Sequence, residues 1–245
     1  MNEDKNISLF QLLKLSFKSY LPVFRVIWLE AILLAFLKNT IFYFNGLVIN
    51  EMFKIFMIII LSVLVLFFIG VSLYRAKQVL SGYQPFFRTS MEVNFSRFPR
   101  VILGALVILL VLGLTLFLAR WALFHYNIVS QNFNLFLLFL LGIILIAEII
   151  YCFYIIPLIV IDNYRIGSAI YQSANFLRYQ IKPIVLNYFF LILLWAIIYP
   201  YSLHENWLKN HYLNIPFDMI VILIFLPLIA NLIILTKQEL QRISE

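Results

Sequence analysis

Two carboxylates sit where a long apolar run leaves little water to hold them. Glu148 lies about twelve residues into the run from about Phe136 to Ile161, which at about 1.5 Å per residue places it about 18 Å deep, near the centre of a bilayer. An isolated carboxyl there would have a raised pKa, ready to exchange a proton or accept a cationic partner; the competing reading is a neutral hydrogen bond inside a bundle. Glu30 lies roughly 12 Å into the run from Val23 to about Phe44. Arg25 and Lys38 flank it and can snorkel to the two interfaces, whereas Glu30 cannot. Arg25 and Glu30 are five apart and share a face poorly, so Glu30 calls for a partner on another span. Asn187, Asn231 and Asp218 are further polar residues within apolar runs, with interhelical hydrogen bonding as their expected role.

The remaining chemistry-bearing groups lie outside the runs. His204, Glu205 and His211, with His125, are residue types that suit zinc, but HENWLKNH has no ligand spacing and reads better as an interfacial loop anchored by Trp207 and Tyr212. Asp162, Ser173 and Asn175 form no nucleophile–base pair readable from sequence. No Gly-rich phosphate loop, HExxH, CxxC or nucleophile elbow occurs, so no catalytic, cofactor or metal site is expected. Cys152 is the only cysteine, which excludes an intrachain disulfide.

The elements that must position these residues are transmembrane helices. The chain has 245 residues, 64% hydrophobic and 12% charged, well outside the balance of a soluble domain. Its few glycines, seven against twenty-five Phe and fourteen Tyr, argue against tight small-residue seams as the dominant packing. The hydropathy predicts an all-α membrane protein with six spans. These run Val23 to about Phe44, Ile55 to about Leu73, Val101 to about Phe117, about Phe136 to Ile161, Ile184 to about Tyr199, and about Pro216 to Leu235. Lys14 and Lys18 interrupt the first apolar stretch and no small-residue cleavage site follows, so no signal peptide is expected.

Before the first, third and fifth spans the apolar period becomes amphipathic. Ser8 to Tyr20 places Leu9, Phe10, Leu12, Leu13, Phe17 and Tyr20 opposite Gln11, Lys14 and Lys18. Phe87, Met91, Phe95 and Phe98 repeat the pattern, with Pro99 expected to close that helix. Between Pro157 and Pro183, the residues Ile166, Ala169, Ile170, Ser173, Phe176 and Leu177 repeat it again. Each is expected to lie flat on the membrane as one of three units of about eighty residues, each unit a surface helix, an entry proline (Pro22, Pro99, Pro183) and a hairpin. The single membrane domain then divides into units at about 1–74, 75–161 and 162–245. Ser16, Ser90 and Ser173 occupy matching places where a small side chain admits a neighbouring helix.

Roughly thirteen of the eighteen Lys and Arg fall on the side that carries both termini and the three amphipathic helices, which predicts that side to be cytoplasmic. The net charge of +7 then indicates anionic lipid headgroups, not nucleic acid.

Two stretches carry a family resemblance: YRAKQVLSGYQPFFRTSMEVNFSRFPRVI after the second span, and the pattern Pro157, Asp162, Ala169, Ser173, Leu177 after the fourth. In these the chain resembles the YciC-like bacterial inner-membrane proteins and, more distantly, the membrane domain beside some glycerophosphodiester phosphodiesterases. The resemblance covers nearly the whole chain and implies a multi-pass inner-membrane protein without an active site, linked to envelope or membrane-lipid homeostasis. In the relatives that hydrolyse glycerophosphodiesters, catalysis belongs to a separate soluble barrel, for which this chain has no room. The partners expected are membrane lipid and other inner-membrane proteins, with the oligomeric state left open. A small-molecule or lipid transporter using Glu148 and Glu30 is the alternative.

Overall fold

The computed structural model describes residues 9–46, 50–125, 131–179, eight positions between 182 and 193, and 211–244. Their regular elements are all α-helices: α1 (Leu9–Lys18), α2 (Tyr20–Gly46), α3 (Glu51–Leu80), α4 (Phe87–His125), α5 (Gln131–Cys152), α6 (Ile155–Asp162), α7 (Ile166–Tyr179) and α8 (His211–Ser244). Among the described residues, four stretches are long and apolar enough to cross a membrane: Tyr20–Ile41, Glu51–Leu80, Phe87–Leu118 and Met219–Glu239. A shorter apolar helix, Phe139–Ile149, lies in α5. The protein is therefore a helical membrane protein. The predicted fifth span, with Pro183 and Asn187, and the loop carrying His204, Glu205 and Trp207 fall wholly or partly outside the described residues, as do the side chains of His125, His211 and Asp218.

Prolines set several of the boundaries. A proline at position i cannot donate to the carbonyl at i−4, and its ring crowds that carbonyl. Pro22 faces Lys18 in this way, and α1 stops at Lys18. Pro157 faces Phe153, and the regular helix is interrupted by a turn at Phe153 and Tyr154 before α6 begins. The fourth apolar run is therefore two helices, not the single span its hydropathy predicts. Pro227 lies inside α8, and the Leu223 carbonyl it frees accepts the Tyr20 hydroxyl at 3.4 Å.

Pro99 behaves differently from expectation. It lies inside α4, so the second amphipathic segment is not a separate surface helix but the first turns of a continuous 39-residue helix. Contacts just before the proline tie this part of the helix to α3: Asn94 donates to the Phe67 carbonyl at 3.0 Å, and the Phe98 ring meets the Phe67 ring edge-on at 5.1 Å. The end of α3 also moves, from the expected Leu73 to Leu80. The N–H groups of Ser81, Gly82 and Tyr83 close it on the carbonyls of Lys77, Val79 and Gln78, with Gly82 at φ +77°. At its start Asn50 accepts from the Met52 N–H at 2.9 Å.

In α7 the enclosed residues Ala169, Ser173 and Phe176 are those the apolar period predicts, whereas the first two amphipathic segments follow their predicted face only in part. In α1, Leu12 and Ser16 are enclosed while Phe10 and Phe17 are exposed; in α4, Ser90 and Asn94 are enclosed while Phe95 is exposed. Where the surroundings are lipid, large apolar groups face outward at little cost and small or polar ones turn to the protein. Each buried serine of the three amphipathic segments lies at a helix crossing. The Ser16 carbonyl accepts Asn231 from α8 at 3.2 Å, Ser90 Oγ donates to Gln78 Oε1 on α3 at 3.1 Å, and Ser173 Oγ donates to the Tyr151 carbonyl on α5 at 2.5 Å. The last contact satisfies a carbonyl orphaned by the break before α6. The main core gathers α6 with Val23 and Ile27 of α2, Leu73 and Ala76 of α3, Val101 of α4, Ala169 and Phe176 of α7, and Ile229, Ala230, Ile233 and Ile234 of α8.

Candidate functional site

Helix α6 is eight residues long and apolar except for its last residue, and its C-terminal end is where the charged residues converge. The chain leaves α6 through Asn163 in the left-handed conformation, which asparagine tolerates, with its N–H on the Ile159 carbonyl. Asp162 accepts a salt bridge from Lys237 Nζ of α8 at 2.5 Å and faces Lys77 Nζ of α3 at 3.7 Å. Gln241 Nε2 approaches it at 3.5 Å. Lys77 also donates to the Ile161 carbonyl at 3.1 Å. From α4, Arg97 donates to the carbonyls of Val160 and Ile161, and Arg100 donates to Asn163 Oδ1 at 2.9 Å. Cations complement the negative end of a helix dipole, and here three helices supply them to one end.

Lys237 is only 2% exposed, so its charge has been taken out of water against Asp162. Arg97 lies over the Tyr74 ring, its carbon 5.2 Å from the centroid. A second buried pair joins α2 to α3: Arg75 Nη1 donates to Glu30 Oε1, and the Arg75 guanidinium covers the ring of Phe87, the first residue of α4. Glu30 thus has the partner from another span that its depth requires. Its other oxygen, and Arg75 Nε, are buried without a hydrogen-bond partner.

The other residues singled out by sequence are dispersed. Glu148 is half-buried on α5 and accepts the Thr115 hydroxyl of α4 at 2.6 Å, while its second oxygen is buried without a hydrogen bond. Asn231 is fully enclosed and bonds the Ser16 carbonyl. Arg25 is exposed on α2. Of the pattern residues, Pro157 shapes the break, Asp162 anchors the cluster, and Ala169 and Ser173 are buried on α7; the Leu177 side chain is outside the described set. Among the described residues no three of His, Cys, Asp and Glu group as metal ligands.

Sequence reasoning treats Lys77, Arg97 and Lys237 as residues that fix orientation and overlooks their convergence on Asp162. One signal was present: each lies within a turn or two of the end of an apolar run, as Asp162 does. No family model, curated protein or solved structure matches the chain.

Proposed function

We propose that this chain is a non-catalytic, multi-pass protein of a bacterial inner membrane, YciC-like in type, with six spans in three repeats and a role in envelope or membrane-lipid homeostasis. The observation that carries the proposal is the use of its carboxylates. Glu30 is paired with Arg75, Asp162 with Lys77 and Lys237, and Glu148 with Thr115, so each holds helices to one another. Such a bundle serves as a fixed framework in the membrane and not as a reaction chamber. The three enclosed serines, each at a crossing between an amphipathic segment and an apolar helix, support the repeat. Cations gathered at one end favour contact with an anionic leaflet.

Deleting the gene is expected to change the phospholipid profile or lower tolerance to membrane stress, measured by lipid mass spectrometry and by growth under detergent or osmotic challenge. Unchanged lipids together with unchanged tolerance would remove this reading. A second reading, transport of a small molecule or lipid, draws on the buried unpartnered oxygens of Glu30 and Glu148. It requires that Glu148→Gln abolish flux in proteoliposomes, because the amide cannot carry a proton.

A further inference from the structure

Beside the charged cluster lies a cavity of ≈ 290 Å³ lined by Tyr74, Lys77, Gln78, Ser81 and Tyr83. Its walls belong to the end of α3 and the turn that follows, where Ser81, Gly82 and Tyr83 are exposed. The α3 carbonyls there are taken up by the N–H groups of that same turn, so side chains set the character of the lining. Those side chains are donors: an ammonium, an amide and three hydroxyls. Ser90 Oγ lies 3.1 Å from the Gln78 amide and 2.9 Å from the Phe86 carbonyl, which holds the amide beside the cavity.

The electrostatic setting has the same sign. The cluster places Lys77, Lys237, Arg97 and Arg100 around the helix end that carries Asp162. Arg97, stacked on the Tyr74 ring that lines the cavity, directs its hydrogen bonds to backbone carbonyls and shares the field of Asp162 with the other cations. A partly enclosed surplus of positive charge, edged by hydroxyl and amide donors, favours an anion with several acceptor oxygens. We propose that this cavity binds a phosphate group, as carried by an anionic phospholipid headgroup at the polar end of the spans. The inference rests on the membrane-lipid reading above and names its ligand chemistry and its place.

The test uses the purified full-length protein, delipidated in detergent and titrated with phosphatidylglycerol or phosphatidylcholine, with adducts counted by native mass spectrometry. Phosphatidylglycerol is expected to be preferred, and its affinity to fall at least about tenfold in Lys77→Gln, the loss typical of one charge-assisted hydrogen bond. The double variant Ser81→Ala/Tyr83→Phe is expected to weaken binding as well. Because those two residues are exposed, it keeps the test valid if Lys77→Gln fails to fold. Lys14→Gln, an exposed cation on α1, should leave affinity unchanged. Inorganic phosphate serves as the soluble probe: if it binds with the same variant pattern and displaces the lipid, the ligand is a soluble phosphate, and if it does not, the ligand is the headgroup. Absence of a preference for phosphatidylglycerol together with no phosphate binding overturns the site, as does an equal loss in Lys14→Gln or an unaffected double variant. A deletion strain with normal lipids would remove the homeostasis reading and leave this binding result standing.

Discussion

Removing the Asp162 carboxylate would strand Lys237, a cation almost wholly out of contact with water. Asp162→Ala is expected to cost about 3–5 kcal/mol, the usual penalty for leaving a buried charge unpaired. The measurement is the unfolding free energy in detergent or bicelles. Replacing the pair by Asp162→Asn with Lys237→Met should recover most of that loss, since neither partner then carries a buried charge. If the double variant is as unstable as the single one, the cluster holds the fold by something other than compensation of charge. At Glu148 the expectation is milder, because an amide oxygen can still accept the Thr115 hydroxyl. Glu148→Gln should stay within about 0.5 kcal/mol of the parent, whereas Thr115→Val should cost about 1 kcal/mol by leaving the carboxyl without its donor. Melting both variants side by side checks the ordering.

Among the elements, the crossing of α3 and α4 is closely fitted. A Cβ added at Gly70 would come within 2.5 Å of Asn94 Oδ1, so Gly70→Ala must push away the side chain that bonds the Phe67 carbonyl. The expected loss is about 1–3 kcal/mol, read by thermal unfolding, with Gly142→Ala on α5, where the added methyl meets nothing, as the control. Helix type and the places of the four long apolar helices were legible in the sequence, because a run of nonpolar residues long enough to span lipid has few alternatives. The two-helix form of the fourth run was legible in principle from Pro157, whose missing donor falls opposite Phe153. The same arithmetic at Pro99 misleads, since Asn94 and Phe98 pin the segment before the proline to Phe67 of α3, and no local pattern reveals that. The inward face of the first two amphipathic segments was only partly legible for a related reason. A helical wheel ranks residues by hydrophobicity, but in lipid the small Ser90 and polar Asn94 turn inward while Phe95 is exposed. Glu30 announced its need for a partner; the identity of Arg75 required the crossing of α2 with α3.

For the whole molecule, the proposed orientation makes a direct prediction. A fluorescent protein fused after Glu245 should fold and glow in the cytoplasm, while alkaline phosphatase inserted between α4 and α5 should be active. The opposite pair of results would invert the molecule and place the phosphate cavity at the outer leaflet.

Two long-range contacts also bear on how the protein is made. The Ser16 carbonyl on α1 waits for Asn231, 215 residues later, and Asp162 waits for Lys237. Both latecomers belong to α8, so a ribosome-bound chain that has already inserted α1 to α7 still carries the α1 crossing open and Asp162 facing Lys77 without its closest cation. Arrival of α8 closes both in one event. A chain stalled before Met219 should therefore persist as a protease-sensitive intermediate, degraded by membrane quality control faster than the chain that includes α8 in pulse-chase labelling, and α8 acts as the latch of synthesis.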